Sequence, residues 1–183
     1  MRFVSVEEYL RLDRQSQDVR YEYIDGQVYM MSGGTANHSA IAVNLTSLFK
    51  SLLRGNTCRV YNSDLRVQLA EERYVYPDVT VSCDERDRGE IEIVRSPRMI
   101  VEVLSPTTEA YNRGLKFAYY RECPSIQEYV LVNTAYPAVE VCRRQRNNWW
   151  SFQTYRPGDE VELLSLGVRF AVNAVYEDIV FPE

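Results

Sequence analysis

An α/β or α+β domain, a mixed sheet flanked by helices, is the architecture this sequence predicts. Two segments, 35–55 and 108–122, carry helical spacing and are separated by short alternating or wholly apolar runs. The second of them joins the apolar runs 98–104 and 129–133, as a right-handed βαβ crossover would. The chain's 183 residues, 45% hydrophobic and rich in tyrosine, suit one domain (1–183) with a sizeable core and half-buried strands.

The elements follow in order. Ser5 and Glu8 form a capping-box signature, so a short helix should run to about Asp13. Residues 20–32 alternate around Asp25-Gly26, a two-residue hairpin signal that places Glu22 on the first strand. After Gly33-Gly34, the spacing of Ile41, Leu45, Leu48 and Leu52 predicts a helix of about five turns, begun at Thr35 or Asn37 and ended by Gly55. Strands are expected at 57–62, 64–70, 74–82 and 98–104, with a charged loop at 84–89. Ser105-Pro106 stops the last of these. A second helix should cover 108–122, with Pro124 just beyond it. Additional C-terminal strands are expected at 129–133, 139–143, 149–155 and 161–164, before a short helical or irregular end.

Composition excludes several classes. A net charge of −5 and a pI near 5.1 do not suit a protein that coats nucleic acid by charge alone. Cys58, Cys83, Cys123 and Cys142 show no C-x-x-C spacing, and reduced, buried thiols are expected. A single histidine, His38, excludes a multi-histidine zinc site, and no Ser-His-Asp or Cys-His arrangement stands out. Gly33-Gly34 is too short for a phosphate loop. The start lacks the apolar core of a signal peptide, and no apolar run would span a bilayer. A soluble cytoplasmic protein with no membrane partner is the expectation.

Glu102 is the most informative residue. It interrupts Met99-Ile100-Val101-Glu102-Val103-Leu104, sharing a strand face with Ile100 and Leu104. A carboxylate there is costly to bury unless paired, protonated or bound to metal. The ordinary alternative is a strand-end acid that reaches solvent or an arginine. Asp78 has a similar setting in Tyr74-Val75-Tyr76-Pro77-Asp78-Val79-Thr80-Val81, opposite an apolar face of Val75, Val79 and Val81. Pro77 marks an edge or bulge. Paired on neighbouring strands, these two acids make half of a site for a hard cation such as Mg²⁺. Lys116, in a helical column with Asn112 and Tyr120, is a surface lysine by default. Beside two carboxylates its charged form would be favoured.

Tyr21-Glu22-Tyr23-Ile24-Asp25-Gly26, Tyr76-Pro77-Asp78-Val79 and Val101-Glu102-Val103-Leu104-Ser105-Pro106 together resemble the Uma-type family of restriction-endonuclease-like proteins. That family is common in cyanobacteria and belongs to the PD-(D/E)XK nuclease superfamily. Tyr111-Asn112-Arg113-Gly114-Leu115-Lys116 and Glu128-Tyr129-Val130-Leu131-Val132 extend the resemblance, which covers about residues 4–140. It implies a restriction-endonuclease-like fold in which Asp78 and Glu102 bind metal, joined by Glu22 and the backbone carbonyl of Val103. The family lysine, displaced by Leu104 from two positions after the acid, corresponds to Lys116. Asn112 stands where the family has an aspartate, and 123–127 lacks its glycine-containing turn.

The expected activity is metal-dependent hydrolysis of a nucleic-acid phosphodiester, with DNA the substrate implied by the resemblance. Asp78, Glu102, Lys116 and Glu22 are the catalytic set, Mg²⁺ or Mn²⁺ the cofactor, and a homodimer suits paired cuts. The alternatives are a nuclease-fold binding or regulatory module without robust cleavage, to which Asn112 points, and a carboxylate-pair hydrolase acting on a glycoside. Three readings stay double. His38 can meet Glu22 across the site or simply start a helix. Asp64 can cap a turn or act as an outer acid. The Arg143-Arg144-Gln145-Arg146 and Trp149-Trp150 segment can contact phosphates and bases or form a charged hairpin tip.

Overall fold

Ser5 opens the first helix in the way its spacing to Glu8 predicts. The computed structural model describes residues 3–16, 18–31 and 33–181. In α1 (Val6–Gln15) the Glu8 N–H donates to Ser5 Oγ, and the Ser5 N–H donates to Glu8 Oε2 at 2.9 Å. Tyr9 pins the helix to the following hairpin, donating to the Tyr21 carbonyl at 2.8 Å and stacking on Tyr23. The hairpin joins β1 (Tyr21–Ile24) to β2 (Gln27–Met30) through Asp25 and Gly26, whose φ values of 48° and 86° are those of a two-residue turn. The exposed Phe3 ring lies over this turn, 2.4 Å from where a Cβ on Gly26 would stand. Ser32, the predicted end of this segment, lies outside the described residues.

Thr35 caps α2 (Ala36–Leu52), accepting from the His38 N–H. Its buried stripe is Ile41, Leu45 and Phe49, while Leu52 is exposed. The expected strands then separate into three sheets. A six-stranded sheet has the order β11-β10-β9-β8-β6-β3, built from β3 (Arg59–Asn62), β6 (Val79–Ser82), β8 (Pro97–Leu104), β9 (Glu128–Asn133), β10 (Val139–Arg144) and β11 (Trp150–Tyr155). A five-stranded sheet orders β2-β1-β5-β4-β7, adding β4 (Arg66–Ala70), β5 (Arg73–Val75) and the two-residue β7 (Ile93–Val94), which is too short to show a strand period in the sequence. The hairpin of β12 (Glu160–Leu163) and β13 (Val168–Ala171) leads into α5 (Val172–Val175). Strands β8 and β9 pair in parallel across an intervening helix, as the βαβ reading requires.

Two expectations need correction. The run 74–82 is not one strand: it leaves the five-stranded sheet after Val75 and joins the six-stranded sheet at Val79. Pro77 cannot donate to a ladder, and the Tyr76 N–H instead donates to the Glu22 side chain. The cysteines are not all reduced, because Cys58 and Cys83 form a disulfide while Cys123 and Cys142 are free and buried. Spacing of 25 residues could not reveal this. The antiparallel pairing of Arg59 with Ser82 does, since it brings the next pair of positions opposite each other.

Alternation along the central strands builds two cores. Met99, Val101 and Val103 pack with Val130 and Val132 against Ile41, Leu45 and Phe49 of α2 and against Phe170 and Val172. Ile100 and Leu104 on the opposite face pack with Tyr129 and Leu131 against Val67, Val75, Phe117 and Tyr120. Glu102 belongs to this second face. The C-terminal hairpin is held by Glu128, fully buried, which accepts from Arg143 Nε at 2.8 Å and from the N–H groups of Leu164 and Ser165 at 3.0 Å. Arg144 donates to the carbonyls of Arg121, Cys123 and Ile126. Those two arginines therefore have structural work, which favours the hairpin reading of 143–150.

Candidate active site

Strand register brings the two central acids together. The pairing of Val79 with Val101, carried one position along, sets Asp78 opposite Glu102, where Cβ atoms are typically about 5 Å apart. Asp78 is fixed by its neighbour: the Val103 N–H donates to Asp78 Oδ2 at 2.7 Å. The third acid arrives from the other sheet. Glu22 on β1 accepts from the Tyr76 N–H at 3.1 Å, and both residues are buried.

The helix after β8 supplies the cation. It runs as α3 (Glu109–Tyr111), a π-helical turn (Asn112–Lys116) and α4 (Phe117–Glu122). Single π turns inside helices recur at functional sites. Here the wide turn ends on Lys116, whose Nζ lies 2.8 Å from Glu102 Oε1 and 2.9 Å from Glu22 Oε1. One turn on, the Tyr120 hydroxyl donates to the same Glu102 oxygen at 2.5 Å. The predicted column of Lys116 and Tyr120 thus converges on Glu102. Burial pulls the Lys116 pKa down, but Glu102 and Glu22 outweigh it and hold the ammonium charged well above the usual lysine range. Burial pushes Glu102 up to about 7 against the pull of Lys116, with the charges of Asp78 and Glu22 adding to the rise.

His38 faces Asp78, not Glu22. Its Nε2 lies 3.4 Å from Asp78 Oδ2. That hydrogen bond raises the imidazole pKa against the effect of burial, and Glu102 and the Val103 carbonyl contribute further. Gly34 makes the position available, because a Cβ there would stand 2.8 Å from His38 Nδ1. All these groups line one cleft of about 360 Å³: Glu22, His38, Asp78, Glu102, Val103 and Lys116, with Asn112 at its helical wall. Asp64 stays outside it, in an exposed turn where its N–H donates to Asn62 Oδ1.

Among the described residues no three or more His, Cys, Asp or Glu side chains form a ready cluster for a metal ion. A hard cation does not need three, since Mg²⁺ is commonly held by one or two carboxylates together with water and substrate oxygens. Asp78, Glu102 and the Val103 carbonyl are an oxygen set of that kind. Burial is the main reason Glu102 holds its proton, and the charges of Asp78 and Glu22 add a smaller rise that a cation would offset. The donor set fits.

A family model for Uma2, described as "Putative restriction endonuclease", matches residues 6–173. The chain belongs to the Uma2 family. Among Uma2-like relatives, it is 41% identical to the uncharacterized protein slr1290 of Synechocystis sp. (strain ATCC 27184 / PCC 6803 / Kazusa), over 97% of this chain and 94% of that protein. Protein sll1609 of the same organism is 30% identical over 81% and 85% of the two chains. A crystal structure described as a "putative nuclease belonging to DUF820" from Anabaena variabilis ATCC 29413 superposes with a TM-score of 0.79 at 19% identity, covering 97% of this chain and 99% of that one. At that identity the likeness shows the fold: a nuclease-type mixed sheet flanked by helices. No described helix of this Uma2 protein is long and apolar enough to cross a membrane.

Two contacts of this Uma2 site go beyond what the sequence predicts. Tyr120, in the Lys116 column, donates to Glu102, and the Tyr76 N–H leaves the expected strand ladder to donate to Glu22. The signal for Tyr120 was its four-residue spacing from Lys116. Nothing local signals the bond from Tyr76 to Glu22, which joins positions 54 residues apart.

Proposed function

We propose that this protein is a metal-dependent nuclease that hydrolyses phosphodiester bonds, with DNA as the substrate. The observation that carries this reading is the buried Lys116 ammonium on Glu102 and Glu22, in the cleft that Asp78 also lines. Asp78, Glu102 and the Val103 carbonyl would hold Mg²⁺ or Mn²⁺. A bound cation of this kind lowers the pKa of water and offsets charge on a phosphate. The chain's own groups do the rest. Lys116, kept charged by two carboxylates, stabilises negative charge developing on the phosphate. Glu22 holds Lys116 in place and, through the Tyr76 N–H, ties the two sheets at the site. Tyr120 steadies the Glu102 carboxylate by donating to it. His38 orients Asp78 from the far side.

Calorimetric Mn²⁺ titration with a parallel assay on labelled DNA tests the proposal. The parent should bind Mn²⁺, and Asp78→Asn or Glu102→Gln should weaken binding by roughly tenfold or more, about 1.4 kcal/mol. Lys116→Gln should retain metal binding and lose about 10²–10³-fold in cleavage rate. A parent protein that takes up no Mn²⁺ sinks the reading.

A further inference from the structure

Resting on the nuclease reading of this site, we propose that the cleft takes an unpaired nucleic-acid strand, with a base against Tyr29, Met30 and Tyr111 and its phosphate toward Asp78, Glu102 and Lys116. The wall comes from the edge of the five-stranded sheet. Tyr29 and Met30, at the end of β2, are 47% and 68% exposed, yet both line the same cleft as the acids. Tyr111 borders Lys116, whose Nζ lies 6.0 Å from the ring centroid. Large apolar groups beside a charged site offer contact area to a flat, apolar face. An unpaired base presents such a face, whereas a paired base keeps its faces stacked inside the duplex and shows only its edges.

The charges around the cleft point the same way. Duplex binding depends on several cations that each displace counterions from a phosphate. Lys116 is the only lysine or arginine among the described residues that line the cleft, and it is held by two carboxylates. Arginines on the flanking elements have acids of their own. Arg20 lies 3.6 Å from Asp64, Arg73 pairs with Asp25 and Glu122, and Arg113 pairs with Glu140 at 2.6 Å. With a net charge of −5 the chain as a whole adds no attraction. Stacking at one or two positions, with a single phosphate at the Lys116 end of the cleft, is the mode of recognition that remains. The cleft volume of about 360 Å³ suits a single nucleotide unit, near the lower end of small-ligand pockets.

Fluorescence anisotropy with a labelled oligodeoxynucleotide of about 12 nucleotides, free and annealed to its complement, tests this with Ca²⁺ as the binding cation. The unpaired strand should bind at least roughly tenfold more tightly. The double variant Tyr29→Ala/Met30→Ala, confined to exposed side chains, should abolish that preference by weakening the unpaired strand alone, and Tyr29→Phe should keep it. Equal or tighter binding of the duplex overturns the proposal, as does a preference that survives the double variant. Cleavage in Mn²⁺ separates the two levels of inference. Cutting of intact duplex but not of the free strand refutes the substrate class and leaves the nuclease reading standing. Selective binding of the free strand without cleavage of either does the reverse.

Discussion

Glu102 shows how one side chain can carry a site's energetics. It is buried on an apolar strand face, and its salt-bridge partner, Lys116, is shared with Glu22. The folded carboxyl holds its proton to about pH 7, whereas an ordinary carboxyl releases it near 4.5. The folded state therefore binds more protons across that window, so the stability tied to Glu102 falls as pH rises from about 4.5 to about 7. The full effect is on the order of 3 kcal/mol. Thermal midpoints across this range should flatten in Glu102→Gln, and an unchanged slope would assign the pH dependence to other groups. A second residue-scale prediction concerns Gly34. In Gly34→Ala the new methyl displaces His38 from Asp78. The imidazole pKa, raised in the parent, should then drop toward about 6.5 by NMR titration. A pKa that stays put would show that His38 does not depend on this close approach.

Among the elements, the broken helix after β8 decides the site. Its π turn ends on Lys116, and Lys116 and Tyr120, one α-helical turn apart, meet the same carboxylate oxygen. Gly114 sits within that turn with no atom near its absent Cβ and without a positive φ. Its use there lowers stability through the unfolded chain's freedom. Gly114→Ala should raise unfolding free energy by about 0.4–1 kcal/mol in urea titration. A loss of stability instead would mean that the turn needs glycine's backbone range. This helix was legible as a helix from its apolar spacing and from Pro124. The π turn was not, because apolar spacing does not separate one wide turn from the α-helical turns around it.

At the scale of the whole molecule, buried charge ties distant segments together. Glu128 anchors the β12–β13 hairpin by accepting from Arg143, Leu164 and Ser165. Glu128→Ala leaves a largely buried guanidinium and two N–H groups without their acceptor, and should cost about 3–5 kcal/mol. Mn²⁺ binding by the protein that remains folded should not change, since Glu128 is not part of the cleft. A variant that melts normally would place the hairpin's stability in its apolar contacts with α2. The division into three sheets lies at this scale too. Period-two alternation marks strands but does not say which sheet a strand joins, so the run 74–82 reads as continuous although it crosses between two.

The amino-acid sequence alone determined the capping box, the Asp25-Gly26 turn, the βαβ unit and the conspicuous acids Asp78 and Glu102. Each depends on neighbours within a few positions, or on a polar group where only apolar ones are cheap to bury. Tertiary structure alone decided that Glu22 and Glu102 share Lys116, that His38 meets Asp78, and that Cys58 bonds to Cys83. Those pairings join residues 14 to 94 positions apart, and their geometry is set by strand register and helix phase. Spacing along the chain fixes neither, because each emerges only when both faces of the central sheet are packed.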